Sequence, residues 1–243
     1  MGLFIVTRPP ADAGPLIERL AAMGHDAIAA PLTDIRFVAE TDIPAMPFQA
    51  VVVTSANGAR ALARHGASAR LGKALAVAVG EASGAAARAA GFARVTVADG
   101  DVAGLIELVK TQLRPGDGPL LYASGRQTTG DIVGELGEAG FAVHRVVLYE
   151  AVAATALPQA VHRVIENCKA DGVLLYSPRT ARIWCRLASA AGLADRLGAL
   201  VHYCLSANVK RALAETGCAG VVMAVAARPE EAALLALIAG AKG

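Results

Sequence analysis

Residues 49–98 open with QAVVVTSANGARAL, and residues 171–226 open with DGVLLYSPRTARIW. In each block this apolar run and its Ser-containing turn are followed by a helix-like stretch, a second apolar run and a small-residue turn. A third apolar run closes each block, as ARVTVADG in the first and as AGVVMAVA in the second. The two blocks, b and b′, therefore indicate a degenerate internal duplication.

A second pair of segments also matches, with small gaps. LFIVTRPPADAGPLIERLAAMGHDAIAAPL at 3–32, segment a, corresponds to LLYASGRQTTGDIVGELGEAGFAVHRVVLY at 120–149, segment a′. The chain order is thus a, b, a′, b′. Two similar α/β lobes that face each other enclose a cleft, and ligand sites favour domain interfaces. The duplication therefore predicts a ligand site in a cleft between two lobes.

Composition indicates a globular protein and limits its partners. Of 243 residues, 55% are hydrophobic and 18% are charged, which is the balance of a folded chain and not of a disordered one. The net charge is only +2 and no basic run accompanies it, so a nucleic-acid partner is not expected. No apolar stretch approaches the ~18 residues of a membrane span, so a membrane partner is not expected either. The N-terminus MGLFIVTRP carries no signal-peptide pattern, and the expected location is the cytoplasm.

Metal-ligating residue types are scattered along the chain. The cysteines and histidines lack the paired spacing of zinc sites. They stand at Cys168, Cys185, Cys204 and Cys218, and at His25, His65, His144, His162 and His202. The glycines from Gly80 onward also lack the spacing of a dinucleotide fingerprint. The sequence therefore predicts no metal site and no nucleotide cofactor.

Short, continuously apolar runs predict strands that are buried on both faces of parallel sheets. They lie at 3–7, 50–54, 75–79, 119–123, 172–176, 200–205 and 220–225. Amphipathic helices lie between them, as at 12–22, where Asp12 is the expected N-cap. Left-handed glycines are expected after helices at Gly24, Gly91, Gly140 and Gly217. The alternation predicts an α/β protein with right-handed crossovers and doubly wound sheets.

The four segments can pair in two ways. In a tandem arrangement a pairs with b, and a′ pairs with b′. In a crossed arrangement b and a′ form a contiguous inner domain, while a and b′ form a discontinuous outer one. Stretches 31–44 and 143–154 are both β-rich and could pair where the chain crosses between domains. That pairing favours the crossed arrangement, but the residues alone leave both open.

The motifs that carry chemistry are turns that follow an apolar run and open a helix. In doubly wound folds such turns lie at the carboxyl ends of strands, where ligands bind. The free N–H groups and the dipole of a helix N-terminus favour anions there, although each turn taken singly is better explained as an ordinary N-cap. The six turns are Thr7-Arg8-Pro9, Thr54-Ser55-Ala56-Asn57, Gly80-Glu81-Ala82-Ser83, Ala123-Ser124-Gly125-Arg126, Ser177-Pro178-Arg179-Thr180 and Ser206-Ala207-Asn208.

Taken in order, these landmarks resemble those of the uroporphyrinogen-III synthase family. The resemblance covers nearly the whole chain and rests on the ordered set, since each motif alone is unspecific. The landmarks are Val6-Thr7-Arg8-Pro9, Val53-Thr54-Ser55, Val79-Gly80-Glu81, Leu121-Tyr122-x-x-Gly125, Val147-Leu148-Tyr149-Glu150 and Tyr176-Ser177-Pro178. The chain departs from the family pattern at 205–209, Leu-Ser-Ala-Asn-Val, where many members carry Gly and Thr.

The resemblance implies both a fold and a reaction. The implied fold has two flavodoxin-like doubly wound lobes with parallel sheets, joined by a two-stranded β-ladder. One lobe, an inner domain at 40–148, is inserted in an outer domain formed by 1–34 and 155–243. The implied activity is that of a hydro-lyase of tetrapyrrole and haem biosynthesis. It closes hydroxymethylbilane into uroporphyrinogen III with loss of water and inversion of the last pyrrole ring.

The same resemblance implies partners and site residues. Such an enzyme needs no metal or organic cofactor, and we expect a monomer that acts on a polyanionic linear tetrapyrrole. Tyr149 is the candidate general acid for departure of the hydroxyl group, although a core tyrosine is the plainer interpretation. Arg8 and Arg126 are candidate ligands for carboxylates. The remaining candidates for substrate binding are Ser55, Ala56, Gly80, Glu81, Ala82, Ser83, Ser124, Gly125, Ser177, Pro178, Ser206, Ala207 and Asn208. Of these turns, Ser55-Ala56, Gly80-Ala82, Ser177 and Ser206-Asn208 are expected to hold the carboxylates mainly through backbone N–H groups.

Two other classes of protein would use similar turns. A two-lobed binding or sensor module could close on a small anion without converting it, and turnover is the observation that separates this module from an enzyme. A tandem receiver-like signalling protein would need clustered acidic residues at strand ends, where Glu81 alone is near.

Overall fold

The computed structural model describes residues 1–38, 41–99, 101–128, 130–218 and 220–240. The chain divides into two compact units. Unit 1 combines Met1–Asp34 with Val152–Gly243, and unit 2 is the continuous stretch Ile35–Ala151. The chain therefore leaves unit 1 after Asp34 and re-enters it at Val152.

Strands and helices alternate along most of the chain. The strands are β1 (Leu3–Val6), β2 (Asp26–Ala29), β3 (Thr33–Phe37), β4 (Ala50–Val53), β5 (Leu75–Ala78), β6 (Arg94–Val97), β7 (Leu120–Gly125), β8 (Val143–Ala153), β9 (Gly172–Leu175), β10 (Val201–Cys204) and β11 (Val222–Val225). The helices are α1 (Pro10–Ala22), α2 (Ala56–Arg64), α3 (Ser68–Leu71), α4 (Glu81–Ala89), α5 (Val102–Gln112), α6 (Ile132–Glu138), α7 (Gln159–Glu166), α8 (Pro178–Ala190), α9 (Ala207–Ala214) and α10 (Glu231–Gly240). Short 3₁₀ turns at Pro115–Asp117 and Ala194–Ala199 precede β7 and β10.

The five-stranded sheet of unit 1 has the order β11-β10-β9-β1-β2, and its neighbouring strands are parallel. Counted along unit 1 alone, this is the flavodoxin-like order 2-1-3-4-5. Its central strand β9 is buried on both faces. Val173 packs in the same cluster as Trp184 of α8, whereas Leu174 packs with Leu16 of α1 and Leu234 of α10. Helices therefore cover both faces, which explains the continuous apolar run.

The six-stranded sheet of unit 2 has the order β3-β8-β7-β4-β5-β6. The five strands from β8 to β6 pair in parallel. Val51 and Val53 of β4 pack in a cluster with Leu62 of α2, while Val52 packs with Leu105 of α5 on the other face. Strand β3 lies at the edge beside β8, and the two strands belong to the β-rich stretches 31–44 and 143–154.

Both sheets use the same spatial order of duplicated segments. In unit 1, β2 and β1 come from segment a, and β9, β10 and β11 come from block b′. In unit 2, β8 and β7 come from segment a′, and β4, β5 and β6 come from block b. The units differ in which segment comes first along the chain, so unit 2 has the connectivity of a circular permutant of unit 1. The prediction of an α/β protein with parallel sheets is confirmed.

Local predictions differ from the structure at edge strands and at one helix start. The criterion of a continuous apolar run missed β2 and β6, because these edge strands contain polar residues such as Asp26 and Arg94. The prediction that Asp12 caps α1 is wrong. The N-cap is Pro9, since Pro10 begins the helix at a position where a missing N–H costs nothing. The glycines predicted after helices, at Gly24, Gly91, Gly140 and Gly217, do have positive φ.

Candidate functional site

Each unit gathers three of the six turns at the carboxyl edge of its sheet, because the preceding strands run in parallel. In unit 1 the turns with Arg8, Ser177 and Ser206 follow β1, β9 and β10. In unit 2 the turns that begin at Thr54 and Gly80 follow β4 and β5. The prediction that Ala123-Ser124-Gly125-Arg126 is a turn that opens a helix is wrong, because β7 continues to Gly125 and α6 begins at Ile132, so the third turn of this edge follows Gly125. We call these two groups of turns the turn edge of unit 1 and the turn edge of unit 2.

Tyr149 lies on β8 at the turn edge of unit 2, and its side chain is only 9% exposed. Its electrostatic partner at this edge is the side chain of Ser55, the N-cap of α2. Burial raises the pKa of Tyr149, and the interaction with Ser55 only partly opposes that effect. The phenol is therefore protonated at neutral pH and is held in one position.

Gly125 makes room for the Tyr149 ring. A β-carbon at this position would lie 2.8 Å from Tyr149 Cζ and 3.1 Å from the Tyr149 hydroxyl oxygen. The pairing register shifts here, because Ser124 pairs with Val147 whereas Gly125 pairs with Tyr149. The Arg126 N–H donates to the Tyr149 carbonyl oxygen at 2.9 Å. The end of β7 therefore fixes both the backbone and the ring of Tyr149.

Arg145 holds the end of β7 from the neighbouring strand. Its Nε donates to Ser124 Oγ at 3.1 Å, and its Nη2 donates to the carbonyl oxygens of Gly125 at 3.2 Å and Arg126 at 3.1 Å. Ser124 is fully buried and donates to a β8 carbonyl, so its hydroxyl group is used inside the unit. The Arg126 side chain is 58% exposed, with Nε 3.4 Å from Glu150 Oε2. Of these residues, Arg126 is the one that a ligand can reach.

Two helices at the turn edges satisfy their own first N–H groups. At α8 the Thr180 N–H donates to Ser177 Oγ at 3.1 Å, and the Ser177 N–H donates to Thr180 Oγ1 at 3.0 Å. Pro178 has no N–H to offer. At α2 the Asn57 N–H donates to Ser55 Oγ at 3.1 Å. These turns therefore retain few donors for a ligand, Ala56 at the first position of α2 being one.

Helices α4 and α9 begin without a side-chain cap, unlike α2 and α8. Their N-caps are Gly80 and Ser206, which occupy equivalent positions of blocks b and b′. Within the part of the chain that the structure describes, no acceptor meets the N–H groups of the first two residues of either helix, Glu81 and Ala82 in α4 and Ala207 and Asn208 in α9. Such open donors at the positive end of a helix dipole favour an anion.

The side chains of Glu81 and Ser83, the other candidates of the α4 turn, are respectively paired and buried within unit 2. The Glu81 carboxylate oxygen accepts from Arg88 Nη1 at 2.7 Å. Ser83 is buried at the first turn of the helix, and its N–H donates to the Gly80 carbonyl oxygen. The candidate donors at this turn are therefore the backbone N–H groups of Glu81 and Ala82.

Arg8 is engaged by carboxylates of unit 1. Its Nη1 lies 2.5 Å from Glu231 Oε2, and its Nη2 lies 3.4 Å from Asp12 Oδ2. The guanidinium also lies over the Tyr176 ring, 4.7 Å from its centroid. Burial, and then the negative charge of Glu231, raise the pKa of Tyr176. The charge of Arg8 is thus compensated inside the protein.

Several polar contacts at the turn edges were missed by the sequence analysis. Tyr122 Oη lies 3.3 Å from Thr54 Oγ1, and Thr7 Oγ1 donates to the Leu174 carbonyl oxygen at 2.6 Å. Both threonines and Tyr122 belong to the landmark motifs, and this membership could have identified them as candidate site residues. Glu231 stands in no motif, because its partners become neighbours only when the sheet forms.

The described residues hold no group of three His, Cys, Asp or Glu side chains that could bind a metal ion. A cavity of about 530 Å³ in unit 2 lies at the opposite edge of the sheet, beside residues that precede β4 and β5, such as Phe48, Gln49 and Ala74. No helix in the described ranges is long and apolar enough to cross a membrane.

Known structures share this fold. The uroporphyrinogen-III synthetase of Helicobacter pylori aligns with a TM-score of 0.68 at 15% identity, over 99% of this chain and 100% of that one. A mutant uroporphyrinogen III synthase of Thermus thermophilus aligns with a TM-score of 0.61 at 17% identity, over 100% of this chain and 98% of that one. At these identities the similarity shows the fold.

The family is shown by the sequence itself. A search of curated proteins by sequence found no match. The model of the family described as uroporphyrinogen-III synthase HemD, in contrast, matches residues 14–236, which is most of the chain. The ordered turns, the parallel sheets and this match agree, and the chain belongs to the uroporphyrinogen-III synthase family, the lyases of tetrapyrrole biosynthesis that cyclise hydroxymethylbilane.

Proposed function

We propose that this chain closes hydroxymethylbilane into uroporphyrinogen III with groups of the turn edges, and that Tyr149 is the proton donor to the departing hydroxyl group. The observation that carries this assignment is the buried, protonated Tyr149, whose ring packs against Gly125 and whose carbonyl oxygen accepts from the Arg126 N–H. Because burial raises its pKa, Tyr149 keeps its proton over the whole neutral range. A fixed, protonated phenol is suited to general acid catalysis.

The first step breaks the bond between the hydroxymethyl carbon and its oxygen. The electron pair leaves with the oxygen, the Tyr149 proton converts it to water, and the pyrrole nitrogen spreads the positive charge over its ring. Water has a pKa of about 15.7, so a phenol is the stronger acid and transfers its proton to hydroxide favourably. Inversion requires that a bond first form at the substituted carbon of the last ring and that the bond from this carbon to the preceding methylene group then break. When the free carbon of the same ring makes the final bond, it loses a proton, which returns to the tyrosinate, and the ring becomes aromatic again.

The substrate carboxylates are held mainly by backbone N–H groups at the starts of α4 and α9. Three observations support this: both helices lack a side-chain cap, each unit has one of them, and they begin at equivalent positions of the duplication. The net charge of +2 is small for a polyanionic substrate, and helix N-termini supply positive potential without charged side chains. Arg126 is the exposed side chain that adds to them, whereas Ser55, Ser124 and Ser177 shape the turns.

The domain organisation is part of the same proposal. Unit 1 is the discontinuous outer domain and unit 2 is the inserted inner domain, and the division of contacts supports this. Much of the catalysis is positional, since a flexible chain must be folded so that its ends meet. We infer a monomer that acts in the cytoplasm, which light scattering on the pure protein and fractionation of cells would check.

The isomer of the product tests the function. The purified protein is incubated with hydroxymethylbilane, the products are oxidised, and the uroporphyrin isomers are separated. We expect type III in excess over a protein-free control, because closure without inversion of the last ring gives type I. A protein that bound the bilane but left the isomer ratio of the control unchanged would be a binding module and not a synthase.

A further inference from the structure

Three hydrogen-bond donors from three elements of unit 1 converge on one carboxylate. Arg8 Nη1 donates to Glu231 Oε2 at 2.5 Å, and Tyr176 Oη donates to the same oxygen at 3.2 Å. Arg19 Nη1 donates to Glu231 Oε1 at 2.5 Å. The donors come from the turn after β1, the residue after β9 and helix α1, while Glu231 is the first residue of α10.

The position of this cluster is that of a ligand site. Strands β1 and β9 are neighbours, so Arg8 and Tyr176 stand side by side at the turn edge of unit 1. Ligands of doubly wound sheets bind at this edge. The group that fills the cluster is a carboxylate, and carboxylates are also what the substrate presents.

The two ion pairs of Glu231 differ in their contact with water. The side chains are 23% exposed for Arg8, 58% for Arg19 and 19% for Glu231, so the pair with Arg19 is exposed and the pair with Arg8 is partly buried. The exposed pair contributes little to stability, and a ligand carboxylate that reaches the cluster from the Arg19 side can compete with the internal one. Without Glu231, Arg8 keeps Asp12 as its carboxylate partner, and the cluster of Arg8, Arg19 and Asp12 carries a net positive charge.

We propose that Arg8, Arg19 and Tyr176 form a receptor for one substrate carboxylate, and that Glu231 occupies this receptor as an internal competitor until the substrate displaces it. The inference rests on the proposed synthase function, because it takes the ligand to be the tetrapyrrole. It assigns Glu231 a regulatory role in affinity, and it assigns Arg19 and Tyr176 to substrate binding.

Competition predicts a tighter complex when the competitor is removed. A receptor that is open only part of the time weakens the apparent affinity by that fraction, and an internal contact worth about 1 kcal/mol leaves it open roughly a fifth of the time. Glu231→Gln should therefore lower the dissociation constant by about fivefold. Glu230→Gln is the matched control, since it removes the same charge one residue away, where Glu230 faces Arg228 and not the cluster.

The probe is uroporphyrin III, the oxidised product, which keeps the carboxylates and is titrated by its fluorescence without turnover. We expect Glu231→Gln to bind it more tightly and Glu230→Gln to bind it as the unchanged protein does. The gain should vanish in Arg8→Ala combined with Glu231→Gln, and shrink in Tyr176→Phe combined with Glu231→Gln. The Michaelis constant for hydroxymethylbilane should fall in parallel.

The outcomes separate this inference from the function on which it rests. Equal tightening in both Glu→Gln variants would reflect net charge alone and would overturn it, as would unchanged or weaker binding in a folded Glu231→Gln. If Glu231→Gln does not fold, Tyr176→Phe alone still tests the receptor, which predicts weaker binding of the probe at unchanged charge. If Glu231→Gln and Glu230→Gln bind the probe as expected but no type III isomer is formed, the receptor is supported and the synthase function is overturned.

Discussion

Tyr149 is the residue on which the proposed chemistry depends most. Replacing it with Phe removes the hydroxyl group but keeps the ring that packs beside Gly125. We expect kcat to fall by about 10²–10⁴-fold, since that is the usual contribution of a positioned general acid. Steady-state rates of uroporphyrinogen III formation measure this, with circular dichroism as the check of folding.

Tyr203→Phe is the matched control for that variant. Tyr203 is another buried phenol, on β10 of unit 1, and its neighbouring charge is Asp171 at the opposite edge of the sheet. Its removal should leave kcat unchanged. A loss below tenfold in Tyr149→Phe would make Tyr149 a positioning residue, and full activity would exclude it from the mechanism.

A substitution at Gly125 tests whether the position of the Tyr149 hydroxyl group matters. In Gly125→Ala the new methyl group would lie 2.8 Å from Tyr149 Cζ, so the ring has to move away. Misplacement of a reacting group by about 1 Å can cost about 10²-fold in rate, so we expect kcat to fall by roughly that factor. Gly137→Ala in α6 is the control, because a methyl group there meets nothing within 4 Å. Equal activity of both variants would show that the ring position does not matter.

His202 makes the stability of unit 1 depend on pH. Trp184 Nε1–H donates to His202 Nε2 at 3.1 Å, so Nδ1 carries the proton and donates to the Leu200 carbonyl oxygen at 3.2 Å. Burial lowers the pKa of His202 to about 4, although carbonyl groups of Leu200 and Val222 oppose the effect. The neutral imidazole is thus built into the core.

The sign of this effect follows from proton uptake. Below the ordinary pKa of about 6.5, His202 is protonated in the unfolded chain but stays neutral in the folded chain down to about pH 4. The free energy of unfolding therefore falls as pH falls through this window. The free energy of unfolding should drop by about 2 kcal/mol between pH 7 and pH 5 on account of His202. Urea titrations at both pH values measure it. In His202→Gln, whose amide oxygen can accept from Trp184, a drop as large as that of the unchanged protein would contradict this account.

At the scale of the element, the starts of α8 and α9 show why identical residues behave differently. Ser177 and Ser206 are both N-caps, but Ser177 has Thr180 three residues later and forms a capping box, whereas Ser206 has Val209 there and forms no side-chain cap. A reciprocal cap needs a side chain at that third position that can reach back. Val209 cannot return a hydrogen bond to the Ser206 N–H, so α9 has no capping box.

Ala207→Pro removes one of the open N–H donors of α9 without disturbing the helix. Proline suits the first helical position, and Ser206 before it already has the extended conformation that a following proline requires. Helix α8 begins in the same way with Ser177-Pro178. We expect the Michaelis constant to rise by about two- to fivefold, which corresponds to ~0.3–1 kcal/mol for one contact at a helix N-terminus. Ala207→Ser keeps the N–H and is the control, and a Michaelis constant equal in both would refute the role of this donor.

Elements could be predicted from the sequence where burial on both faces leaves a continuous apolar run. That criterion located β1, β4, β5, β7, β9, β10 and β11 within one or two residues at each end. It missed the edge strands β2 and β6, where polar residues that can face solvent interrupt the apolar run. The start of α1 was placed at Asp12 because aspartate is a preferred N-cap residue, whereas Pro10 begins the helix earlier.

The candidate site could be predicted as a set of turns but not as a set of contacts. The turns follow strands, and strands can be recognised locally. The interaction between Ser55 and Tyr149, the packing of the Tyr149 ring against Gly125 and the approach of Glu231 to Arg8 each join residues that are far apart in sequence. Such contacts depend on the order of strands in the sheet, which the residues alone left open between two pairings.

At the scale of the whole molecule, unit 2 should fold without unit 1. A fragment of residues 33–153 contains all of β3 and β8 and the complete six-stranded sheet. Its clusters around Val52 and Val53 are formed by residues of this fragment. We expect native-like far-ultraviolet circular dichroism and a cooperative urea transition. A fragment with the spectrum of an unfolded chain would mean that unit 2 depends on unit 1.

The discontinuity of unit 1 has a consequence for how the protein is made. Strand β1 lies between β2 and β9, so its apolar residues Phe4, Ile5 and Val6 lack one neighbour until residues 172–175 have been synthesised. At about 5–20 residues per second this delay lasts roughly 10–30 s. Unit 2 ends at Ala151, so its last residue is synthesised only about 1–5 s before β9 is complete. We therefore expect β1 to lack one neighbour, and to be accessible to chaperones, throughout the synthesis of unit 2.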